Sequence, residues 1–301
     1  MRILLTGATG FIGRHLLDGL SGAGEENVVY AVARRVPQNT SASVRWVPAD
    51  LSSCDWTTHL PDGGVDVVVH LAQSKHYRDF PSQAVDIFDV NVKATVDLAG
   101  WAAVRGVKRF LFASTGNVYG FQEQVHQEGD VCKPDSMYAA SKLSAEILLK
   151  PFSPSYEVVI LRLFGVYGPG QTDAMVPGVI QRFIESREIT LAGEIGVRFN
   201  PIYIDDCVVV FRQLLAVKLA SSYEIVNVGG SEVVDLRQAV AQLEAMSGRP
   251  ACVRSTADVP KQLVGSIDRL RKLVTPEKVV LFREGLRRVL VSMDPRGQGE
   301  R

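Results

Sequence analysis

A glycine-rich segment near the N-terminus constrains this chain more than any other feature. The apolar run Arg2–Thr6 is followed by Gly7, Gly10 and Gly13, and the amphipathic stretch Phe11–Leu20 begins among them. Glycine permits a tight turn at the first position, close approach of a ligand at the second and close packing of helix on strand at the third. A strand, a glycine loop and a helix in this order predict an anion-binding site at a helix N-terminus.

Short apolar runs then alternate with amphipathic stretches, which is typical of parallel strands joined by helices. Further strands are predicted at Val28–Ala33, Val44–Val47, Val65–Leu71, Arg109–Ala113 and Glu157–Leu163, and helices at Val85–Val104 and Met137–Leu149. The pattern predicts an α/β fold of the Rossmann type, a doubly wound parallel sheet with a smaller C-terminal α/β lobe. We expect a dinucleotide-binding domain over residues 1–168, with segments around 200–230 returning to it. Residues 169–301 are expected to form mainly the substrate-binding lobe.

Charge and cysteine usage exclude several classes of function. Lys and Arg number 33 and Asp and Glu number 33, so no net charge favours a nucleic acid or an anionic membrane as partner. The 4 cysteines lie far apart, without histidines at metal-ligand spacing, so we expect neither a zinc site nor a disulfide framework. No signal-peptide pattern and no run of membrane-spanning length is found, which favours a cytoplasmic protein.

The residues after the second and third predicted strands bear on the identity of the cofactor. Arg34 and Arg35 follow the second strand, where a guanidinium suits the 2′-phosphate of NADP, so NAD(P) is expected with NADP favoured over NAD. The alternative is that both arginines are solvated charges at a strand end. Asp50 and Leu51 follow the third strand, where a carboxylate and an apolar side chain suit the adenine ring.

Three side chains are candidates for catalysis. Tyr138 and Lys142 open a predicted helix at a spacing of four residues, which places the phenol and the ammonium on one face. An ammonium and an oxidised nicotinamide both favour the phenolate, which lets Tyr138 act as base and acid in hydride transfer. Thr115 lies at the C-terminal end of a predicted strand and is the candidate for a hydrogen bond to the substrate oxygen.

Motifs spread along the chain resemble those of the extended short-chain dehydrogenase/reductase family, in its NAD-dependent epimerase/dehydratase branch. They are Thr6–Gly13, Asp50-Leu51, His70–Ala72, Asn91–Thr95, Ser114–Gly120, Tyr138–Lys142 with Glu146, Leu161–Pro169 and Arg198–Asp206. The resemblance covers nearly the whole chain. It implies an enzyme that binds NAD(P) and acts on a nucleotide sugar as a homodimer.

The resemblance also assigns roles to individual residues. Thr115, Tyr138 and Lys142 would be catalytic. The resemblance adds Leu71, Ala72, Asn91, Phe164 and Lys142 to the residues that bind the cofactor, and the full set of candidates is Gly7, Gly10, Phe11, Ile12, Gly13, Arg34, Arg35, Asp50, Leu51, Leu71, Ala72, Asn91, Tyr138, Lys142 and Phe164. Substrate would be bound by Gln73, Thr115, Asn117, Gly165 and Arg198. Dehydratases of this branch carry an Asp-Glu pair directly after the catalytic threonine, where this chain has Gly116 and Asn117, so dehydration is disfavoured.

Three functions follow from these residues. The leading hypothesis is an epimerase of a nucleoside-diphosphate sugar, which takes a hydride from a ring carbon and returns it to the other face. The second is an NADPH-dependent reductase of a keto-sugar or another carbonyl compound. The third is a protein that binds the dinucleotide as a sensor or scaffold, against which the combination of Thr115, Tyr138 and Lys142 argues.

Overall fold

A computed structural model describes residues 1–22, 27–38, 43–275 and 278–294. The chain divides into two compact units. The first unit comprises Met1–Val118, Cys132–Arg162 and Val208–Val226, and the second comprises Tyr119–Val131, Leu163–Cys207 and Asn227–Arg301. The chain therefore passes between the units several times. Whether the second unit binds substrate stays a prediction.

The first unit is built on a seven-stranded sheet in the order β3-β2-β1-β4-β5-β6-β9. The strands of the chain are β1 (Arg2–Thr6), β2 (Val28–Ala33), β3 (Val44–Pro48), β4 (Val67–His70), β5 (Arg109–Thr115), β6 (Glu157–Leu163), β7 (Ile189–Ala192), β8 (Arg198–Phe199), β9 (Tyr223–Val228), β10 (Val234–Asp235), β11 (Val253–Thr256) and β12 (Gln262–Leu263). β1 pairs in parallel with both β2 and β4. The chain reverses direction across the sheet at β1, which confirms the predicted doubly wound α/β fold.

The helices begin and end close to the predicted positions in most cases. They are α1 (Phe11–Leu20), α2 (Ala84–Phe88), α3 (Ala94–Val104), α4 (Met137–Leu149), α5 (Met175–Ile184), α6 (Ile204–Leu214), α7 (Leu236–Ser247), α8 (Asp268–Leu273) and α9 (Phe282–Met293). In the first unit, Trp56, Leu98 and Phe110 belong to one buried apolar cluster against the sheet. Burial of a side chain such as Phe110 contributes about 1.5–3 kcal/mol.

The prediction of one continuous helix over Val85–Val104 was wrong. α2 and α3 are separated by a π-helical segment, Asp89–Lys93. The side-chain amide of Asn91, within this segment, accepts a hydrogen bond from the main-chain N–H of Ser74 and donates to the Ser141 hydroxyl, at 2.8 and 2.9 Å. These two long-range bonds hold Asn91 in the wide turn, and π segments of this kind are common at functional sites.

The second unit contains two small sheets, with strand orders β10-β8-β12 and β11-β7. α7 begins with a capping box, in which the Asp235 side chain accepts from the main chain of Gln238 and the Gln238 side chain accepts from that of Asp235. Within the residues that the structure describes, none of the helices combines the length and apolar character needed to cross a bilayer.

Candidate active site

The glycine loop lies between β1 and α1 and leaves no room for side chains. Gly7 has φ +70°, and a Cβ built on it would lie 2.8 Å from the nitrogen of Ala72. A Cβ on Gly13 would lie 2.1 Å from the carbonyl oxygen of Gly7. Gly10 is the N-cap of α1 and has no side chain to cap it. The N-terminus of α1 therefore faces a surface of main chain alone, the form of a phosphate-binding site.

A cavity of about 270 Å³ adjoins this loop. Its lining is drawn from the C-terminal ends of β1, β2, β3 and β4 and the segments that follow them. The predicted residues in the lining are Gly7, Gly10, Arg34, Asp50, Leu51, Leu71, Ala72 and Gln73. Most of the predicted cofactor residues in the first half of the chain are thus brought together, and Gln73, predicted for substrate, shares their cavity.

Polar groups meet at one side of the cavity. Asp50 accepts hydrogen bonds from the main-chain N–H of Ser52 at 3.1 Å and from its hydroxyl at 2.8 Å. Burial raises the pKa of Asp50, but these bonds and the nearby charge of Arg34 outweigh burial and leave the pKa below its ordinary value. Arg34 and Arg35 are both exposed, and Arg34 lines the cavity. An ionised carboxylate and a guanidinium are thus available to a ligand there.

The catalytic candidates come together at the end of β5 and the start of α4. Ser136 caps α4, its side chain accepting from the main-chain N–H of Ala139, so Tyr138 lies in the first turn. The Tyr138 phenol is hydrogen-bonded to the Thr115 side chain. Burial raises the pKa of Tyr138 to about 12, although the bond with Thr115 acts in the opposite direction. In the polypeptide alone, the phenolate expected from the sequence is therefore disfavoured.

Lys142 lies one turn further along α4 and is buried. Its Nζ donates to the carbonyl of Ala113 at 2.9 Å and lies 4.8 Å from the ring centroid of Phe112. Burial lowers the pKa of Lys142 to about 7, against the raising effect of Glu146. Lys142 therefore changes its charge near neutral pH, unlike an exposed lysine.

Glu146 continues the same face of α4 and anchors it to the sheet. Its carboxylate accepts from the Arg162 guanidinium at 2.7 Å and from the hydroxyl of Ser114. Glu146 and Arg162 are both buried, so removing either side chain would leave the other charge buried without a partner and destabilise the fold. The pair fixes α4 against β5 and β6, and with α4 the positions of Tyr138 and Lys142.

His70, at the end of β4, is a packed strand residue. Its Nδ1 lies 2.5 Å from the Thr6 hydroxyl and its Nε2 lies 2.9 Å from the Thr95 hydroxyl. Burial, together with the charge of Lys142, lowers the pKa of His70 to about 3, so the ring is neutral. Both ring nitrogens are engaged, which argues against a direct role in proton transfer.

The remaining candidates have different surroundings. Asn117 lies in the 3-10 turn Gly116–Tyr119, and its main-chain N–H donates to the Thr115 hydroxyl at 3.2 Å. Phe164, Gly165 and Arg198 belong to the second unit. There Phe164 is buried against Gly265, Gly165 has φ +60°, and Arg198 is exposed on β8. Their predicted contacts with cofactor or substrate stay predictions.

Sequence reasoning missed part of the cavity. Thr9, Ser74, Lys75, Asp86 and Val90 also line it. Ser74 and Lys75 lie in the segment that follows β4, and the rule that ligands bind at the carboxyl ends of parallel strands would have found them. Asp86 and Val90 lie on and after α2, and no local pattern marks them.

Comparison with known proteins assigns the chain to a family. The model of the NAD dependent epimerase/dehydratase family matches residues 3–229. The chain belongs to this family. The resemblance to extended short-chain dehydrogenases/reductases is thereby confirmed, and with it the expectation of an enzyme. The epimerase/dehydratase match covers the glycine loop, the residues that line the cavity and the face of α4 that carries Tyr138 and Lys142.

Individual members of the epimerase/dehydratase family match over almost their full length. The chain is 28% identical over 326 residues to an uncharacterized UDP-glucose epimerase, YtcB, of Bacillus subtilis (strain 168), with 100% of both chains covered. It is 28% identical over 308 residues to UDP-glucuronate 4-epimerase of Thermodesulfobacterium geofontis (strain OPF15), covering 95% of this chain and 94% of the relative. The crystal structure of UDP-glucuronic acid 4-epimerase from Bacillus cereus, in complex with UDP-glucuronic acid and NAD, superposes with a TM-score of 0.86 at 27% identity, covering 98% of this chain and 99% of that one.

Proposed function

We propose that this enzyme epimerises a carbon of a nucleoside-diphosphate sugar, with Tyr138 as the acid and base. The observation that carries the proposal is that Tyr138 and Lys142 lie one turn apart on α4, where Lys142 donates to the Ala113 carbonyl at the end of β5, close to Thr115. Relatives over the whole chain are named UDP-glucose and UDP-glucuronate epimerases, which supports a nucleotide sugar as substrate. Gly116 and Asn117 carry no carboxylate, which favours epimerisation over dehydration.

The residues that line the cavity suit the adenosine and pyrophosphate of a dinucleotide. The main-chain surface around Gly7 and Gly10 suits a pyrophosphate, and Asp50 and Leu51 suit an adenosine. Bound NAD(P)⁺ supplies a positively charged nicotinamide that favours the Tyr138 phenolate and accepts and returns a hydride. Because Arg34 lines the cavity, we propose that NADP is bound more tightly than NAD.

Residues of the protein transfer the proton of the sugar hydroxyl. Tyr138 takes the proton of the sugar hydroxyl as the ketone forms and returns it when the ketone is reduced. Thr115 donates to the substrate oxygen and keeps it beside the phenol. The Lys142 ammonium, held by the Ala113 carbonyl, favours the phenolate by its charge and binds the nicotinamide ribose.

Substitution of Tyr138 by Phe tests the acid–base role. We expect Tyr138→Phe to lower kcat with UDP-glucose or UDP-glucuronic acid by about 100- to 10,000-fold, because a positioned proton donor is lost. The melting temperature should stay close to that of the wild type, since the ring is kept. Tyr30→Phe, on strand β2 and outside the proposed catalytic residues, is the matched control and should keep full turnover. Unchanged turnover by Tyr138→Phe would refute the role.

A reductase of a keto-sugar or another carbonyl compound is the second candidate, and the exposed guanidinium of Arg34 at the cavity favours it. The two functions differ in cofactor balance. An epimerase returns the hydride and leaves the absorbance at 340 nm unchanged after many turnovers, whereas a reductase consumes NADPH in proportion to product. Sugar product formed with one equivalent of cofactor over about a hundred turnovers supports the epimerase, and stoichiometric NADPH loss overturns it.

We also propose that the enzyme is a homodimer through α2 and α4. These helices pack against each other, and they leave Val85 and Ile147 73% and 62% exposed. Apolar side chains this exposed on neighbouring helices favour burial against a second copy. Sedimentation velocity should give the mass of two chains for the wild type and of one chain for Ile147→Glu. A monomeric wild type would refute the proposal.

A further inference from the structure

The segment between β4 and α2 passes from the cofactor cavity to the catalytic phenol. Its first residues, Gln73, Ser74 and Lys75, line the cavity. Ser74 is held firmly, because its main-chain N–H donates to Asn91 at 2.8 Å and its hydroxyl donates to the carboxylate of Asp86. The path of the segment is therefore determined by contacts at its start.

A short turn continues the segment and presents Tyr77. The main-chain N–H of His76 donates to the Ser74 hydroxyl at 3.0 Å, and the main-chain N–H of Asp79 donates to the His76 carbonyl at 2.8 Å. The ring of His76 lies 2.9 Å from the Asp79 carboxylate. Tyr77 therefore lies in a hydrogen-bonded turn that holds its main chain in place.

The ring of Tyr77 packs directly on the ring of Tyr138. Their centroids are 5.2 Å apart and the planes are inclined by 56°. The guanidinium carbon of Arg78 lies 5.0 Å from the centroid of the Tyr77 ring, within the range of a cation–π interaction. Aromatic pairs at this separation contribute about 0.5–1.5 kcal/mol beyond burial, enough to select one side-chain conformation.

This contact lies on the ring of Tyr138 itself, beyond the reach of the helix cap. The cap at Ser136 fixes the main chain of Tyr138 at the start of α4 but leaves the phenol free to rotate. Only groups that touch the ring itself hold the phenol toward Thr115, and Tyr77 covers one side of that ring. Burial raises the pKa of Tyr138 to about 12, and the electrostatic effect of the Tyr77 phenol acts in the same direction.

We propose that Tyr77 is a positioning residue for the reaction, and that its ring holds the Tyr138 phenol against Thr115 and keeps water away from it. The catalytic part of this inference rests on the proposed role of Tyr138. The ring contact itself belongs to the free enzyme, so it is measurable without turnover.

The test compares Tyr77→Leu, which removes the ring, with Tyr77→Phe, which keeps it. With UDP-glucose or UDP-glucuronic acid, we expect Tyr77→Leu to lower kcat about 10- to 100-fold with KM within about 3-fold, because the phenol is misplaced. Tyr77→Phe should restore kcat to within about 3-fold of the wild type. Phe80→Leu, an exposed aromatic in the same segment, is the matched control and should change neither quantity.

The second measurement follows the phenol itself. Carbon-13 NMR of ring-labelled tyrosine in the purified holoenzyme, with the Tyr138→Phe variant for assignment, reports the titration of Tyr138. Tyr77→Leu should shift this titration to lower pH by about one unit, since water that reaches the phenol stabilises the phenolate. The acidic limb of the kcat profile, where the phenolate becomes protonated, should move in the same direction. Tyr77→Phe should leave both close to the wild type.

The two measurements distinguish the positioning role of Tyr77 from the proposed epimerase activity. If Tyr77→Leu keeps the wild-type titration of Tyr138, the inference is overturned, whatever the activity. If the wild type turns over neither sugar nucleotide while Tyr77→Leu shifts the titration, the ring contact is upheld and the proposed function fails. Tyr77→Thr provides a second ring deletion, for use if the leucine variant melts at a lower temperature.

Discussion

The glycine loop and the polar face of α4 carry the two groups of candidate site residues, and they are built by opposite means. The loop works because side chains are absent, since a Cβ on Gly7 or Gly13 would lie within 3 Å of main-chain atoms. The face of α4 works through ionisable side chains that are buried, Lys142 and Glu146, with Tyr138 at its start. The loop therefore tolerates no added volume, whereas the helix face tolerates no uncompensated change of charge. Substitutions should affect the two regions in different ways.

The glycine loop and α4 also differ in their effect on the stability of the folded chain. Main-chain groups of the loop form hydrogen bonds with one another, such as that from the N–H of Gly10 to the carbonyl of Gly7 at 3.0 Å. α4 buries two cations and one carboxylate together, counting Arg162 from β6. A buried charge without full compensation is destabilising, so the burial of Lys142 on this face lowers the stability of the folded chain.

The largest effect is expected from added volume in the loop. Gly13→Ala would bring a Cβ to 2.1 Å from the Gly7 carbonyl oxygen, so the loop must move. We expect NAD affinity to fall by about 100-fold or more and the unfolding free energy to fall by about 1–3 kcal/mol, as for overpacking elsewhere. Calorimetric titration and thermal melting measure these changes. Gly63→Ala, where a Cβ meets nothing within 4 Å, is the control, and equal behaviour of the two variants would contradict the contrast.

An intermediate effect is expected from charge on α4. The pKa of Lys142 is about 7 in the folded chain, against an ordinary value of 10.5. Between these values the unfolded chain holds a proton that the folded chain lacks, so the free energy of unfolding should rise with pH across this window. Lys142→Met removes this rise, and it should be more stable than the wild type at pH 6 by about 1–3 kcal/mol while losing most turnover.

Denaturant unfolding at a series of pH values measures the Lys142 effect. Lys218→Met, which removes an exposed lysine of the same unit, should keep the wild-type dependence on pH. If Lys142→Met follows the same curve as the wild type, the buried ammonium carries no electrostatic cost. The claim that the buried charges of α4 limit stability would then be wrong.

The smallest effect is expected from charge at the cavity rim. Arg34→Gln should reduce the preference for NADP over NAD by about 10-fold, because one charge-assisted contact with a 2′-phosphate is worth about 1.4 kcal/mol. Fluorescence titration with both dinucleotides measures the ratio. Arg45→Gln, on the adjacent strand β3, should leave the ratio unchanged. Equal affinity of the wild type for both dinucleotides would show that Arg34 does not read the phosphate.

Local sequence patterns predicted much of this architecture. β1, β2, β6, α1 and α4 have the predicted bounds, because alternation and helical periodicity are properties of short stretches. The break in the helix over Val85–Val104 was not predictable in this way. It depends on Asn91, whose partners Ser74 and Ser141 lie 17 and 50 residues away along the chain. A local pattern contains no information about partners at such distances.

The sequence alone determined the fold class, the glycine loop and the spacing of Tyr138 and Lys142, since each depends on neighbours within one turn or one strand. Only the tertiary structure decided that burial lowers the pKa of Lys142 and raises that of Tyr138. It alone decided that Glu146 pairs with Arg162 and that the ring of Tyr77 contacts the ring of Tyr138. The physical reason is that burial and charge pairing are set by whatever surrounds a group in space, and most of those surroundings come from distant segments of the chain.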